Sequence, residues 1–305
     1  MFRKILVPLD GSQISERALQ IAQQILPRTN PELFLVHVVD PSRESAAHMH
    51  RTYLDGLAES SRQHLSRESS KTQQATKVIP VLLHGDPATE VINFSQKNDI
   101  SLVIMSTRNR TGIRRWALGS VSEKVYRQTM CSCILIGAEG DSKTTQAGMG
   151  VGRILVPIGR TGNEREFLSY VNAFDTRIIS EVIFLQAVPQ IVSIDEEEYQ
   201  KVAHEFTESA YADRLEQSRK EEALKHLSTF TNVVKGKGIA TTAVAVVGST
   251  VDSILKYARE ANIDLIALPA EGQTAFGHWI LGKLAKTLLR EGKTPVLIVK
   301  PLKPV

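Results

Sequence analysis

A chain of 305 residues exceeds one ordinary α/β core and fits two of about 150 residues each. Its 42% hydrophobic and 23% charged content excludes a disordered or fibrous protein. The formal charge of +4 lies wholly in residues 1–150, with 18 Lys/Arg against 14 Asp/Glu there and 19 against 19 beyond; that excess is too small and too dispersed for a nucleic-acid surface.

In chain order, β-rich runs are expected at residues 4–9, 33–39, 77–83, 102–106 and 133–136. Between the first two, Ile14, Ala18, Ile21, Ala22 and Ile25 recur on one helix face, with Ser12 as N-cap and Pro27 just beyond the end. Asp86-Pro87 opens a further helix, Asp as cap and Pro in the first turn. Short strands alternating with longer helices predict a parallel sheet covered on both faces. The first apolar run lasts only from Ile5 to Leu9, so neither a signal peptide nor a membrane helix is expected, and no membrane partner. Cys131 and Cys133 suit neither a disulfide framework nor a C-x-x-C pair. They are expected to pack, and a reducing cytoplasm is the expected location.

The pattern occurs twice. Residues 3–8 (Arg-Lys-Ile-Leu-Val-Pro) return as residues 152–157 (Gly-Arg-Ile-Leu-Val-Pro) at an offset of 149. Gly85, Ile100, Leu102, Gly119 and the run 134–136 return at Gly248, Ile263, Leu265, Gly282 and 297–299, at an offset of 163. The 14-residue difference is an insertion in the second copy, expected to lengthen a helical stretch from Asp195 to about Leu227, where Val202, Phe206 and Ala210 recur at helical spacing. Residues 1–140 and 151–305 are therefore read as two domains of one Rossmann-like fold, each with five parallel strands. Residues 141–150, poor in apolar side chains, form the linker, with the boundary near 145.

In such sheets ligands bind beyond the carboxyl ends of the strands, where strand order reverses. Three segments should meet there: Pro8-Leu9-Asp10-Gly11-Ser12, Val38 at the end of the second strand, and the loop after Ser106. That loop runs through Thr107, Arg108, Asn109, Arg110, Thr111 and Gly112 to Gly119, Ser120, Val121 and Ser122 at a helix start. Glycines let a backbone approach a polyphosphate, and a helix start offers unpaired N–H groups with the positive dipole end. Arg108, Arg110, Arg114 and Arg115 suit a polyphosphate or are simply a solvated basic loop.

Together with Val7-Pro8-Leu9-Asp10-Gly11-Ser12 and His37-Val38-Val39-Asp40, this loop resembles the universal stress protein family, over nearly the whole of both copies. ATP-binding members of that family carry G-x-x-G, nine residues, then G-[S/T]. The resemblance implies an adenine nucleotide alpha hydrolase-like fold and a cofactor, ATP or else ADP or AMP, with Mg accompanying it. It implies that Asp10 and Val38 hold the adenosine, Val38 through its backbone, that Pro8 shapes the turn, and that Ser120 and Ser122 supply hydroxyls beside Gly119 and Val121. It places Ser106, Thr107, Arg108, Asn109 and Arg110 against the phosphates. This chain has Ser106 and Asn109 where the leading glycines stand. Asn tolerates a left-handed backbone, whereas the Ser106 side chain takes space at the approach. The resemblance also implies that the last strands of the two copies, with Ile134 and Leu297, pair as a pseudo-dimer, and that a further homodimer is open.

In the second copy the matching positions are Gly159, Pro269, Gly272, Gly282 and Lys283, so that half is expected to be a degenerate copy with a structural or partner-binding role. Gly277 to Lys283 satisfies G-x-x-x-x-G-K, but Leu284 offers no magnesium-binding hydroxyl and the motif does not directly follow its strand. Trp116 and Trp279 precede Gly119 and Gly282 by three residues and read as packing anchors or lids. His37 reads as a packed histidine, and His48-x-His50 lacks a second pair of ligands, so no metal is expected. No nucleophile elbow or His-Glu-x-x-His pair is present. Three roles stand: a nucleotide-responsive stress protein acting on a protein partner, an interaction module without nucleotide, and a slow ATP hydrolase.

Overall fold

The computed structural model describes residues 2–29, 32–40, 47–68, 76–107, 119–137, 152–159, 179–191, 193, 195–236, 238–275 and 277–301. The first copy comprises β1 (Lys4–Leu9), α1 (Gln13–Thr29), β2 (Glu32–Val39), α2 (Ala47–Glu68), β3 (Val78–His84), α3 (Pro87–Lys97), β4 (Leu102–Ser106), α4 (Ser120–Gln128) and β5 (Ser132–Ile136). The second comprises β6 (Arg153–Pro157), β7 (Glu181–Val188), α5 (Glu196–Gln200), α6 (Glu208–Lys235), β8 (Ala240–Val247), α7 (Thr250–Glu260), β9 (Leu265–Pro269), β10 (Glu271–Gln273), β11 (Trp279–Ile280), α8 (Lys283–Glu291) and β12 (Val296–Val299).

Ten of these strands form one sheet in the order β3-β2-β1-β4-β5-β12-β9-β6-β7-β8. Each half is parallel and places its first strand third from the outer edge, so the strand order reverses between β1 and β4 and again between β6 and β9. The halves join antiparallel through β5 and β12, with Ile134 directly opposite Leu297. The intramolecular pseudo-dimer implied by the family resemblance is therefore present. Strands buried on both faces need near-continuous apolar runs, which β1, β5 and β12 supply. Ile5, Val7, Ile134 and Leu297 face a core shared with α1, α2 and α6. Leu6, Cys133, Leu135 and Val296 face the opposite core, filled from α3, α4, α7 and α8.

Ser12 caps α1 as expected: its hydroxyl accepts from the Ser15 amide at 3.2 Å, and its carbonyl from Ser15 and Glu16. The helix does not stop before Pro27 but continues to Thr29. The insertion departs further from expectation. Val202 and Phe206 lie in a turn between two helices, and a new helix starts where the Thr207 hydroxyl accepts from the Ala210 amide, then runs on past Leu227 to Lys235. A strong cap outweighs a helical spacing of apolar residues, because it fixes where free amides begin. The segment holding His48 and His50 is helical, α2, its buried face carried by Leu54, Ala58 and Leu65.

Asp86 caps α3 and ties it to α4. Its carboxylate accepts from the Thr89 hydroxyl and amide and from Lys124 Nζ at 2.9 Å. These bonds, Thr89's hydroxyl first and Lys124 next, hold the Asp86 pKa down at about 2. The folded value lies below the unfolded one, so the bonds stabilise at neutral pH and are lost as pH falls from about 4 towards 2. Asp86→Asn should therefore flatten that acid limb of a melting-temperature profile against pH, and Lys124→Met should flatten it less.

Candidate functional site

β1 lies between β2 and β4, so the carboxyl ends of these three parallel strands share one edge. The register puts Pro8 beside Val36 and Leu9 beside His37, so Asp10 and Val38 emerge at that edge. The turn after β1 is built by Asp10, whose carboxylate accepts from the Ser12 amide at 3.0 Å and the Ser12 hydroxyl at 2.5 Å. The Asp10 amide in turn donates to Ser15 Oγ at 3.3 Å. Gly11 takes φ +80, a left-handed conformation that favours glycine, and nothing lies within 4 Å of where its Cβ would stand. The backbone there is open to a ligand.

His37 forms the floor beside Asp10. Its ring bonds through Nδ1 to the Leu9 carbonyl at 2.7 Å and stacks on His50 from α2 with centroids 4.6 Å apart. Burial is the main cause that lowers its pKa, opposed by the Leu9 bond. The packed reading of His37 holds, and the neutral ring donates from Nδ1. Tyr53 stands edge-on to His37 and donates to Glu16 at 2.9 Å, which pins α2 to α1 at the rim. Sequence reading gave no sign of His50, Tyr53 or Ser15 at this edge, since their partners lie on other elements.

Across the edge, α4 starts at Gly119 without any side-chain cap. The amides of Ser120, Val121 and Ser122 are thus first-turn donors with no acceptor in their own helix. Ser120 and Val121 are exposed, whereas the Ser122 hydroxyl is buried and donates back to the Gly119 carbonyl at 3.0 Å. Ser106 ends β4 half-buried, opposite Ile136. Thr107 departs from expectation: it is fully buried, and both its amide and its hydroxyl donate to the Ile136 carbonyl, at 2.8 and 3.0 Å, so its side chain serves the sheet and not a ligand. Hydroxyl contacts from Ser122 and Thr107 therefore leave the reading, because each already has an internal acceptor. Arg108, Asn109, Arg110, Arg114, Arg115 and Trp116 lie outside the described residues.

The second copy differs at the same place. Its helix α8 likewise starts at an uncapped glycine, Gly282. Between β9 and α8 the chain folds into the β10–β11 ribbon, closed by bonds between Thr274 and His278, so residues 277–283 are not a single strand-to-helix phosphate loop. The ribbon lays the Glu271 carboxylate on Gly282, its Oε1 only 1.7 Å from where a Cβ would stand. Position 271 corresponds to Arg108 in the first copy. An acid thus covers the helix start in one half where the other half has a base in sequence. Trp279, in β11 of this ribbon, is buried as a packing anchor. Gly282→Ala should cost less than about 1 kcal/mol, since an exposed carboxylate can swing aside. Gly292→Ala should cost about 1–3 kcal/mol, since its Cβ would stand 2.5 Å from the Leu288 carbonyl. Chemical denaturation of the two variants checks the contrast.

Among the described residues no helix is long and apolar enough to cross a membrane, and no group of three or more His, Cys, Asp or Glu is placed to hold a metal ion.

The model of the universal stress protein family matches residues 1–137 and again 151–300. Universal stress protein MJ0531 of Methanocaldococcus jannaschii is 28% identical over 140 residues, covering 45% of this chain and 82% of that protein. Universal stress protein YxiE of Bacillus subtilis is 26% identical over 147 residues, covering 45% of this chain and 99% of the relative. Among solved structures, a universal stress protein from Archaeoglobus fulgidus superposes over 99% of this chain and 100% of its own, with TM-score 0.64 and 16% identity. The Pseudomonas aeruginosa protein PA1789 does so over 98% and 93%, with TM-score 0.62 and 17% identity. Single-domain relatives match half of the chain, and two-domain folds match all of it. With its family pattern present twice and two mirrored half-sheets joined edge to edge, the chain belongs to the universal stress protein family.

Proposed function

We propose that the first domain binds an adenine nucleotide, ATP or else ADP or AMP with Mg, and that the chain acts as a nucleotide-responsive regulator in the stress response through a protein partner. The single observation that supports this reading most is the open turn at Asp10-Gly11-Ser12 on the same sheet edge as Val38, with the uncapped start of α4 following β4. Adenosine would lie against Asp10, Pro8 and the Val38 backbone, and the phosphates would meet the amides of Ser120, Val121 and Ser122 beyond Gly119. Ser106, Asn109 and the arginines Arg108 and Arg110 would border the phosphates from the loop before α4. The residues fit the anion by chemistry, since unpaired amides and a helix start favour negative charge. The Mg ion would ride on the phosphates, as this cation keeps most of its waters.

The second domain would not take the nucleotide. Gly159 stands where Asp10 does, and the Glu271 carboxylate lies over Gly282. Its role is to complete the sheet and present a surface. Titration calorimetry of the full chain with ATP, ADP and AMP, with and without Mg, tests this reading. One binding event per chain is expected. No heat with any of the three, and no nucleotide released from freshly purified protein on denaturation, would leave the interaction module as the function.

A further inference from the structure

The junction between the two halves buries a lysine against one helix end. Lys300, directly after β12 of the second half, is 2% exposed. Its amino group donates across the seam to the Tyr126 carbonyl at 2.5 Å, the Thr129 carbonyl at 2.9 Å and the Thr129 hydroxyl at 3.4 Å. Tyr126 lies in the last turn of α4 and Thr129 is its C-cap, so these carbonyls belong to the helix end that lacks partners of its own. That end carries about half a negative charge. The nitrogen also stands 4.4 Å from the Tyr126 ring centroid and 5.6 Å from that of Trp279. Three acceptors match the three N–H groups of an ammonium, and both rings stand within cation–π reach. Burial draws the Lys300 pKa down, while the three hydrogen bonds and the helix end favour its charged form.

The equivalent place at the end of α8 lacks this arrangement. At the offset of 163, Lys300 corresponds to Gly137, Tyr126 to Leu289 and Thr129 to Gly292. The Leu289 carbonyl lies 2.9 Å and the Gly292 carbonyl 3.5 Å from where a Gly137 Cβ would stand, so a side chain there would collide with the end of α8. The two helices thus differ at both ends. α8 has Glu271 over its start and a glycine against its finish. α4 has no side-chain cap at its start and a lysine from the other half at its finish. The cation goes to the helix proposed to meet the phosphates, and the acid to the other.

We propose that Lys300 is a positioning residue for the nucleotide: through it the second domain fixes the C-terminal turn of α4 and offsets its negative end, which readies the first-turn amides of α4 for phosphate. This role rests on the reading that the first domain binds an adenine nucleotide at that helix start. α4 has only nine residues, so one rod of about 14 Å joins the seam to the phosphate position. Movement of its last turn is carried to its first. A second tie acts in the same sense, since the Tyr126 hydroxyl donates to the Ile280 carbonyl of β11 at 3.1 Å. The Lys300 amide donates to Ser132 Oγ of β5 at 3.2 Å, so the lysine enters from a held backbone. The adenosine part, set against Asp10, Pro8 and Val38, lies outside this coupling. By linkage, phosphate at the start of α4 strengthens the hold of Lys300 on its end.

Titration calorimetry of the full-length wild type and Lys300→Met tests this role, with ATP directly and with adenosine by its displacement of bound ATP. Circular dichroism checks that the variant is folded at the titration temperature. Lys300→Met should weaken ATP by roughly fivefold or more and leave adenosine within about twofold of wild type. Should Lys300→Met fail to fold, Lys300→Gln, which keeps donors for the carbonyls without the charge, takes its place with the same expected split. The role is overturned if the variant binds ATP at the wild-type affinity. It is overturned equally if ATP and adenosine weaken by the same factor, as a general loosening of the seam would produce. A wild type that binds no ATP overturns the nucleotide reading and this role together, whereas wild-type binding without the split overturns this role alone.

Discussion

Leu297→Asp will cost the folded chain about 4–5 kcal/mol or more, which is a large part of the whole stability of a domain. Leu297 is fully buried, pairs with Ile134 across the seam and with Ala267 on its other side, and faces the core shared by α1, α2 and α6. An aspartate there would be an anion in an apolar layer. Lys300 cannot answer it, because the two positions are three apart in the chain and their side chains leave the sheet on opposite faces. Ile134→Asp should do comparable damage from the other strand. Urea denaturation measures both: a midpoint unchanged from wild type in either variant would show that the continuous sheet does not carry the stability assigned to it.

Gly119→Trp will abolish measurable ATP binding, a loss of at least about a hundredfold in affinity, while leaving the fold intact. Gly119 sits at φ −57 and ψ 144, an extended conformation open to any residue, so the substitution strains no backbone. Its indole would stand in front of the first amides of α4, where the phosphates are proposed to lie. Asp10→Ala removes a carboxylate that organises the turn through Ser12 and is proposed to hold the ribose. It should weaken binding by about ten- to a hundredfold. Circular dichroism checks the folding of both variants and calorimetry their affinity. Wild-type affinity in Gly119→Trp would remove α4 from the site.

Helix ends were legible in the sequence where one side chain decides them locally. Ser12 and Asp86 each supply an oxygen to an amide three residues on, and the sequence places both caps correctly. The run through Val202, Phe206 and Ala210 misled, because a periodic apolar pattern does not say where the chain turns, while the Thr207 hydroxyl does. The candidate site was legible in outline, as the topology of parallel strands dictates which strand ends meet. Its details were not: Thr107 shares the Ile136 carbonyl across a strand pair, and His50 reaches His37 from another element, contacts that exist only once both are packed.

The repeat of Ile-Leu-Val-Pro and of Gly119 at Gly282, together with apolar runs short enough for strands, determined by themselves that the chain holds two like α/β halves. The reason is that period and composition act locally on secondary structure, and parallel strands linked by helices leave few ways to stack. Only the tertiary structure decided which polar groups share a space. The Lys300 amino group finds Tyr126 and Thr129 from more than 170 residues away, and Glu271 finds Gly282 through a ribbon with no counterpart in the expected element list. Charge is felt through space and not along the chain, so the seam that makes one sheet of two also decides which carbonyls meet the buried Lys300 side chain.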